Sequence, residues 1–149
     1  MAQINPRGFP VERGKIHEFA EAIMDGHPLY HDEEAARAAG LSSVVAPPTF
    51  AMVVQHFPDD TRPPAPELAN LDMRFMLHGA QEFVFERPLF AGDVLHGEPG
   101  RVQTYEKQGR RGGKMKFVDI ETLYRDQKGD VVLRTKTTVI QTEGVVKES

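Results

Sequence analysis

Residues 19–50 read F-A-E-A-I-M-D-G-H-P-L-Y-H-D-E-E-A-A-R-A-A-G-L-S-S-V-V-A-P-P-T-F, and their order decides the fold. Ile16, Phe19, Ala20 and Ile23 recur at i, i+3, i+4 and i+7, which predicts an amphipathic helix from Gly14. It should stop near Met24, because Gly26 and Pro28 follow. Asp32 stands where an N-cap belongs, ahead of Glu33 and Glu34 in a first turn. Ala35 to Ala39 continue a short helix and Gly40 suits its C′ position. Phe50 to Val54 is apolar on every side, and Pro48 fits a helix first turn, so a buried helix is expected there. Asp25, His27 and His31 thereby fall in a loop against the mouth of a buried helix.

Outward from this stretch, residues 1–13 are expected to be extended, with Pro6 and Pro10 opposing helix. Asp59 to Asn70 holds Pro63, Pro64 and Pro66 and reads as an irregular connector long enough to act as a lid. The remainder reads as strands. Phe83 and Phe85 alternate with Glu82 and Glu86. Val94 to Glu106 is interrupted by Gly97, Pro99 and Gly100, which predicts a bulge or an edge. Lys114 to Arg125 changes apolar phase at Phe117-Val118, which predicts a bulge or burial on both faces. The turn D-Q-K-G-D at 126–130 leads into the β-branched run Val131 to Gln141. Strands joined by glycine turns, with one buried helix on the sheet, make an α+β fold. One domain over 1–149 is expected, frayed at 1–9 and 142–149.

Composition narrows the function. At 149 residues, 40% apolar and 27% charged, the chain is of ordinary globular character. A net charge of −4 gives no bulk attraction to nucleic acid or anionic membrane. The basic cluster Lys107 to Lys116 lacks interleaved aromatics and reads as a hairpin tip. Without cysteine there are no disulfides, thiol nucleophiles or Cys-ligated metals. The first residues show no signal-like apolar segment and no run reaches membrane-spanning length, so a cytoplasmic location is expected.

Five segments in order carry a resemblance: D-G-H-P-L-Y-H-D-E-E-A-A-R-A-A-G, V-A-P-P-T-F, L-H-G-A-Q-E-F at 77–83, R-P-L-F-A-G-D at 87–93 and E-T-L-Y-R-D-Q-K-G-D at 121–130. Together they resemble the MaoC-like dehydratase N-terminal domain of the hotdog superfamily, over roughly Pro10 to Gln141. The resemblance implies an antiparallel sheet wrapped around a central helix, and a dimer that joins two sheets. It implies action on (3R)-3-hydroxyacyl thioesters of coenzyme A or acyl carrier protein. The partner would be a second copy or a different hotdog subunit. Active R-specific hydratases of this family carry G-D-x-N-P-[LIV]-H. Here Asp25, Pro28 and Leu29 match, while Met24 replaces the Gly, His27 the Asn and Tyr30 the His; His31 lies one place late. The D-x-H-P-x-aromatic form looks more like the non-catalytic subunits of heterodimeric dehydratases of mycolic-acid synthesis.

Eliminating water from such a thioester needs a base at C2, an acid for the leaving hydroxyl and donors for the enolate-like oxygen. The catalytic candidates are therefore Asp25, His31 and His27. Pro47, Pro48, Thr49, Phe50, Tyr30 and His78 are the candidates for lining the acyl site. Each has a structural alternative. Asp25 before Gly26 suits a turn, His31 an ornament of the helix start, Thr49 a cap, and Tyr30 a packing residue. No cofactor is required by this chemistry. No metal is expected, because Pro28 separates His27 from His31 and no H-E-x-x-H pattern occurs. Ser42-Ser43 lacks a nucleophile elbow, and A-G-D at 91–93 reads as a hairpin device.

Overall fold

The computed structural model describes residues 8–56, 66–109 and 113–143. In chain order it contains β1 (Phe9–Pro10), α1 (Arg13–Ala22), α2 (Pro28–His31), α3 (Glu33–Ala38) and, after a 3-10 turn at Pro48–Phe50, α4 (Ala51–His56). Then come α5 (Pro66–Ala69), a 3-10 turn at Met73–Phe75, β2 (Met76–Phe85), β3 (Val94–Gln108), β4 (Lys114–Arg125) and β5 (Val131–Thr142). The strands form one sheet in the order β1-β3-β4-β5-β2, with every paired neighbour antiparallel. The sheet curls over the segment from Phe50 into α4, the arrangement the resemblance implies.

Phe50 organises the core. It is fully buried with Ala51 and Val54, while Met52 and Val53 remain half-buried, so the apolar helix is covered on one side more than the other. Phe19 meets the Phe50 ring edge-on at 5.5 Å and Phe9 lies 6.4 Å away. Leu89, Leu95, Tyr124 and Leu133 close the cluster from the sheet. A second cluster of Leu71, Val118 and Val139 fills the far end of the sheet.

Several expectations need correction. Ile23, read as part of the buried face of α1, is exposed, because the helix ends at Ala22 and Ile23 is already its C-cap. Residues 28–31, read as loop, form the short helix α2. The 3-10 turn that precedes α4 has Pro47 at its N-cap position, with Thr49 inside the turn. Part of the expected irregular connector, Pro66–Ala69, is helical, and residues 57–65 of it lie outside the described residues. The phase change at Phe117-Val118 is burial on both faces. Val118 enters the core while Phe117 stacks at 5.0 Å on Tyr105 across the opposite face, with no register shift there. The expected irregularity in β3 is present as a shift between Pro99 and Val102. The basic segment is a hairpin tip closed by Gly109 N–H on the Gly113 carbonyl, residues 110–112 lying outside the described residues.

Two helix ends fix the loop that carries the candidate residues. Asp32 caps α3 by accepting from the Glu34 and Ala35 N–H groups, and Gly40, at φ +82°, ends it in a Schellman motif. The same motif ends α1: Met24 N–H donates to Glu21 C=O and Asp25 N–H to Ala20 C=O. Its left-handed position is filled by Met24 at φ +57°, 92% exposed. This is the place where the hydratase pattern has Gly, so that Gly has a conformational reason. A side chain there costs roughly 1 kcal/mol, and no contact offsets it at so exposed a site. Met24→Gly should therefore raise stability by about 1 kcal/mol in urea denaturation. An unchanged midpoint would show that the turn tolerates Met without strain.

Candidate functional site

The loop from Asp25 to His31 is built by its own side chains. Asp25 Oδ1 accepts from His27 N–H at 3.1 Å, an Asx-type turn. His27 is the N-cap of α2, its Nδ1 accepting from Leu29 N–H at 3.3 Å, and Pro28 takes the first helical position. Leu29 and Tyr30 pack against the main core, and the Tyr30 ring lies 5.6 Å from that of His27. The Leu29 carbonyl accepts from Val45 N–H at 3.0 Å. That contact ties the loop to the strand-like segment 44–46, which pairs with 89–91 through Ala46 N–H to Leu89 C=O and Ala91 N–H to Val44 C=O. The loop is thus held beside the Pro47–Phe50 corner.

His31 is held at both ring nitrogens. Its Nε2 lies 2.9 Å from the Asp25 backbone carbonyl, and its Nδ1 lies 2.7 Å from Nδ1 of His17. A carbonyl only accepts, so Nε2 carries the hydrogen, and in the neutral ring it is the Nδ1 lone pair that faces His17. The two imidazoles meet edge-on, with centroids 4.9 Å apart. Asp25 and His31 therefore come together, through the aspartate's backbone rather than its carboxylate.

The other candidates are dispersed. Pro47 and Phe50 are buried, Pro48 and Thr49 exposed. His78 sits exposed on β2, beside the register shift between His78 and Ala80. Gly79 lies under Ile140, and a Cβ there, 2.6 Å from Ile140 Cδ1, would force that side chain to move. A groove of about 510 Å³ lies over the middle of the sheet, lined among others by Val84, Leu123, Arg125 and Arg134, and shares no residue with the Asp25–His31 loop. β2 ends the sheet, paired on one side to β5, and leaves Leu77 and Val84 exposed.

Two residues near the loop were not singled out from the sequence: His17 and Glu21. Their signal was present as an i, i+4 pair on the polar face of α1, but α2 had to be known before His31 could be placed beside them.

A family profile described as "FAS1-like, dehydratase domain region" matches residues 2–135. A UPF0336 protein of Saccharopolyspora erythraea is 39% identical over 132 residues, covering 89% of this chain and 81% of that one. Among solved structures, the C-terminally truncated HadBC (3R-hydroxyacyl-ACP dehydratase) complex of Mycobacterium tuberculosis superposes with a TM-score of 0.73. The identity is 27%, covering 93% of this chain and 98% of that chain. The ChsH1-ChsH2 complex of the same organism gives 0.72 at 25% identity, over 95% of this chain and 83% of that chain. Sheet order, buried central segment and these matches define a hotdog protein of the dehydratase class. The chain belongs to the FAS1-like dehydratase family, whose solved neighbours are MaoC-like dehydratases. No helix among the described residues is long and apolar enough to cross a membrane.

Proposed function

We propose that this chain is the acyl-binding half of a two-subunit hydro-lyase acting on (3R)-3-hydroxyacyl and enoyl thioesters of coenzyme A or acyl carrier protein. The observation that carries this reading is the state of the Asp25–His31 loop. Tyr30 occupies the position of the catalytic His and packs on the core, while both nitrogens of His31 are engaged by Asp25 C=O and His17. A base whose lone pair faces another side chain is badly placed to take a proton from C2 of a substrate. The Asp/His pair would then come from the partner. In support, the two neighbours named above are both two-chain complexes, HadBC and ChsH1-ChsH2. The homodimeric hydratase remains the second reading, favoured by the 2.9 Å approach of His31 to Asp25.

The partner would add its own sheet to the outer edge of β2, which no other strand among the described residues covers and which therefore invites a strand. Co-expression with a hotdog subunit carrying an intact D-x-N-P-x-H should yield a 1:1 complex that hydrates crotonyl-CoA, whereas each chain alone should not. On complex formation, amides of β2 should gain hydrogen-exchange protection. Protection gained elsewhere and not in β2 would move the contact off this edge.

A further inference from the structure

We propose that His17, Glu21 and His31 form a binding site for a first-row divalent transition-metal ion of the zinc class. One ligand atom from each residue lies within 4.8 Å of the others. His17 and Glu21 are one helical turn apart on α1, so their side chains rise from the same face. His31 arrives from α2, and the site would bridge the two elements on either side of the Asp25 turn.

The ligand types select the ion. Two imidazoles and one carboxylate suit Zn²⁺, Co²⁺ or Ni²⁺, whereas Ca²⁺ and Mg²⁺ demand oxygen ligands. Tetrahedral coordination at the usual Zn–N and Zn–O lengths places ligand atoms about 3.3 Å apart. The two Nδ1 atoms are 2.7 Å apart and one ligand atom from each of the three residues lies within 4.8 Å of the others, so that spacing is within reach. His17 and Glu21 are exposed, so small rotamer changes close the difference. With three protein ligands, one position is left for water.

A further feature is the orientation of His31. Its Nε2–H is fixed on the Asp25 carbonyl at 2.9 Å, so in the neutral ring Nδ1 is the free lone-pair nitrogen and is directed into the cluster. Histidines that ligate metals are commonly held this way, the other ring N–H donating to a backbone carbonyl or carboxylate. Among the described residues no Lys or Arg forms an ion pair with Glu21, so its carboxylate is not claimed by a side-chain cation. In the sequence, Pro28 between His27 and His31 and the lack of an H-E-x-x-H pattern argue against a metal held by that pair. His27 does turn its Nδ1 to Leu29 N–H, and the helical pairing instead involves His17 and Glu21.

The test is titration of tag-free protein with Zn²⁺ against a chromophoric chelator, alongside Co²⁺ absorption spectroscopy. Wild type should bind one Zn²⁺ in the micromolar range and give the visible ligand-field band of low-coordinate Co²⁺. His17→Ala and Glu21→Gln should each weaken Zn²⁺ binding by at least ~10-fold, and Glu18→Gln, exposed on the same helix but outside the cluster, should leave it unchanged. Both substituted positions are exposed, and circular dichroism melting confirms that each variant is folded. Should His17→Ala prove unstable, Glu21→Gln alone carries the comparison. Wild-type binding no tighter than millimolar would overturn the site and reduce the cluster to a His17–His31 hydrogen bond. Binding unchanged in both variants, or lost equally in Glu18→Gln, would overturn it as well.

Discussion

Purified alone, this chain should hydrate crotonyl-CoA no faster than buffer, and adding a hotdog subunit with an intact Asp/His pair should raise turnover by ~100-fold or more. That magnitude is what positioned general acid–base groups contribute, and they are what the Asp25–His31 loop fails to present. The loop variants sharpen the result. In the assembled enzyme, Asp25→Asn and His31→Ala should leave kcat within about threefold of wild type, because neither group transfers a proton in this reading. In the partner, substitution of the Asp or the His should abolish turnover. The opposite pattern is equally specific. If the chain alone is active and His31→Ala removes that activity by orders of magnitude, catalysis resides here and the homodimeric reading stands. A complex that assembles and yet remains inert would reject acyl-thioester hydration while leaving the metal site to be judged by its own binding assay.

Much of the fold was legible because it rests on local rules. Asp32 as a cap, Gly40 as a helix terminator and the D-Q-K-G-D turn depend on backbone hydrogen bonds within a few residues, and each is found as read. Phe50 and the antiparallel order follow from apolar patterning. Misreadings arose where tertiary contacts outweigh local signals. Ile23 matches the apolar spacing of α1, but the Schellman turn at Met24 bends the chain before Ile23 can reach the core. Pro28 seemed to forbid helix at 27–31, yet a proline at the first helical position, behind a His27 cap, starts α2. The site was less legible. Asp25, His31 and His27 all stand as candidates in the sequence, and Asp25 and His31 do meet, but spacing says nothing about which atoms face each other. His17 lies 14 residues from His31 in sequence, and only the fold brings their rings together.

Arg87→Ala should be the most damaging single substitution outside the apolar core, lowering stability by about 3 kcal/mol at neutral pH. The R-P-L-F-A-G-D segment is more than a hairpin device. Arg87 Nη1 and Nη2 grip both oxygens of Asp93 at 2.8 and 2.9 Å, and Nη2 also reaches Asp126 at 2.9 Å. One guanidinium thereby joins the end of β2, the start of β3 and the β4–β5 turn. Asp93 and Asp126 are buried, at 7% and 5% exposure. Their remaining capacity goes to backbone N–H groups: Phe90 on Asp93, Lys128 and Asp130 on Asp126. Burial by itself pushes the Asp126 pKa up, but the Arg87 hydrogen bond and those two N–H donors outweigh it and hold the carboxyl below its ordinary value. The Asp93 partner in turn raises the Arg87 pKa. Because the Asp126 pKa is depressed in the fold, its contribution is present above the unfolded carboxylate value of about 3.9 and lost as pH falls through the folded one. Removing Arg87 leaves two buried carboxylates without their cation; for Asp126 the burial that opposes its charge then loses its main counterweight, so its protonation becomes favourable at higher pH than in wild type. The difference between wild type and Arg87→Ala in urea denaturation should therefore be largest near pH 7 and shrink towards pH 4. Asp119, which burial also opposes but which Thr138 and Lys136 hold below its ordinary value, titrates alike in both proteins and cancels from the comparison. Arg87→Lys should recover part of the loss, since an ammonium restores charge but cannot span two carboxylates as a planar fork. A difference below about 1 kcal/mol that does not vary with pH would mean that the three segments are held by packing alone, with the ion network only lying over them.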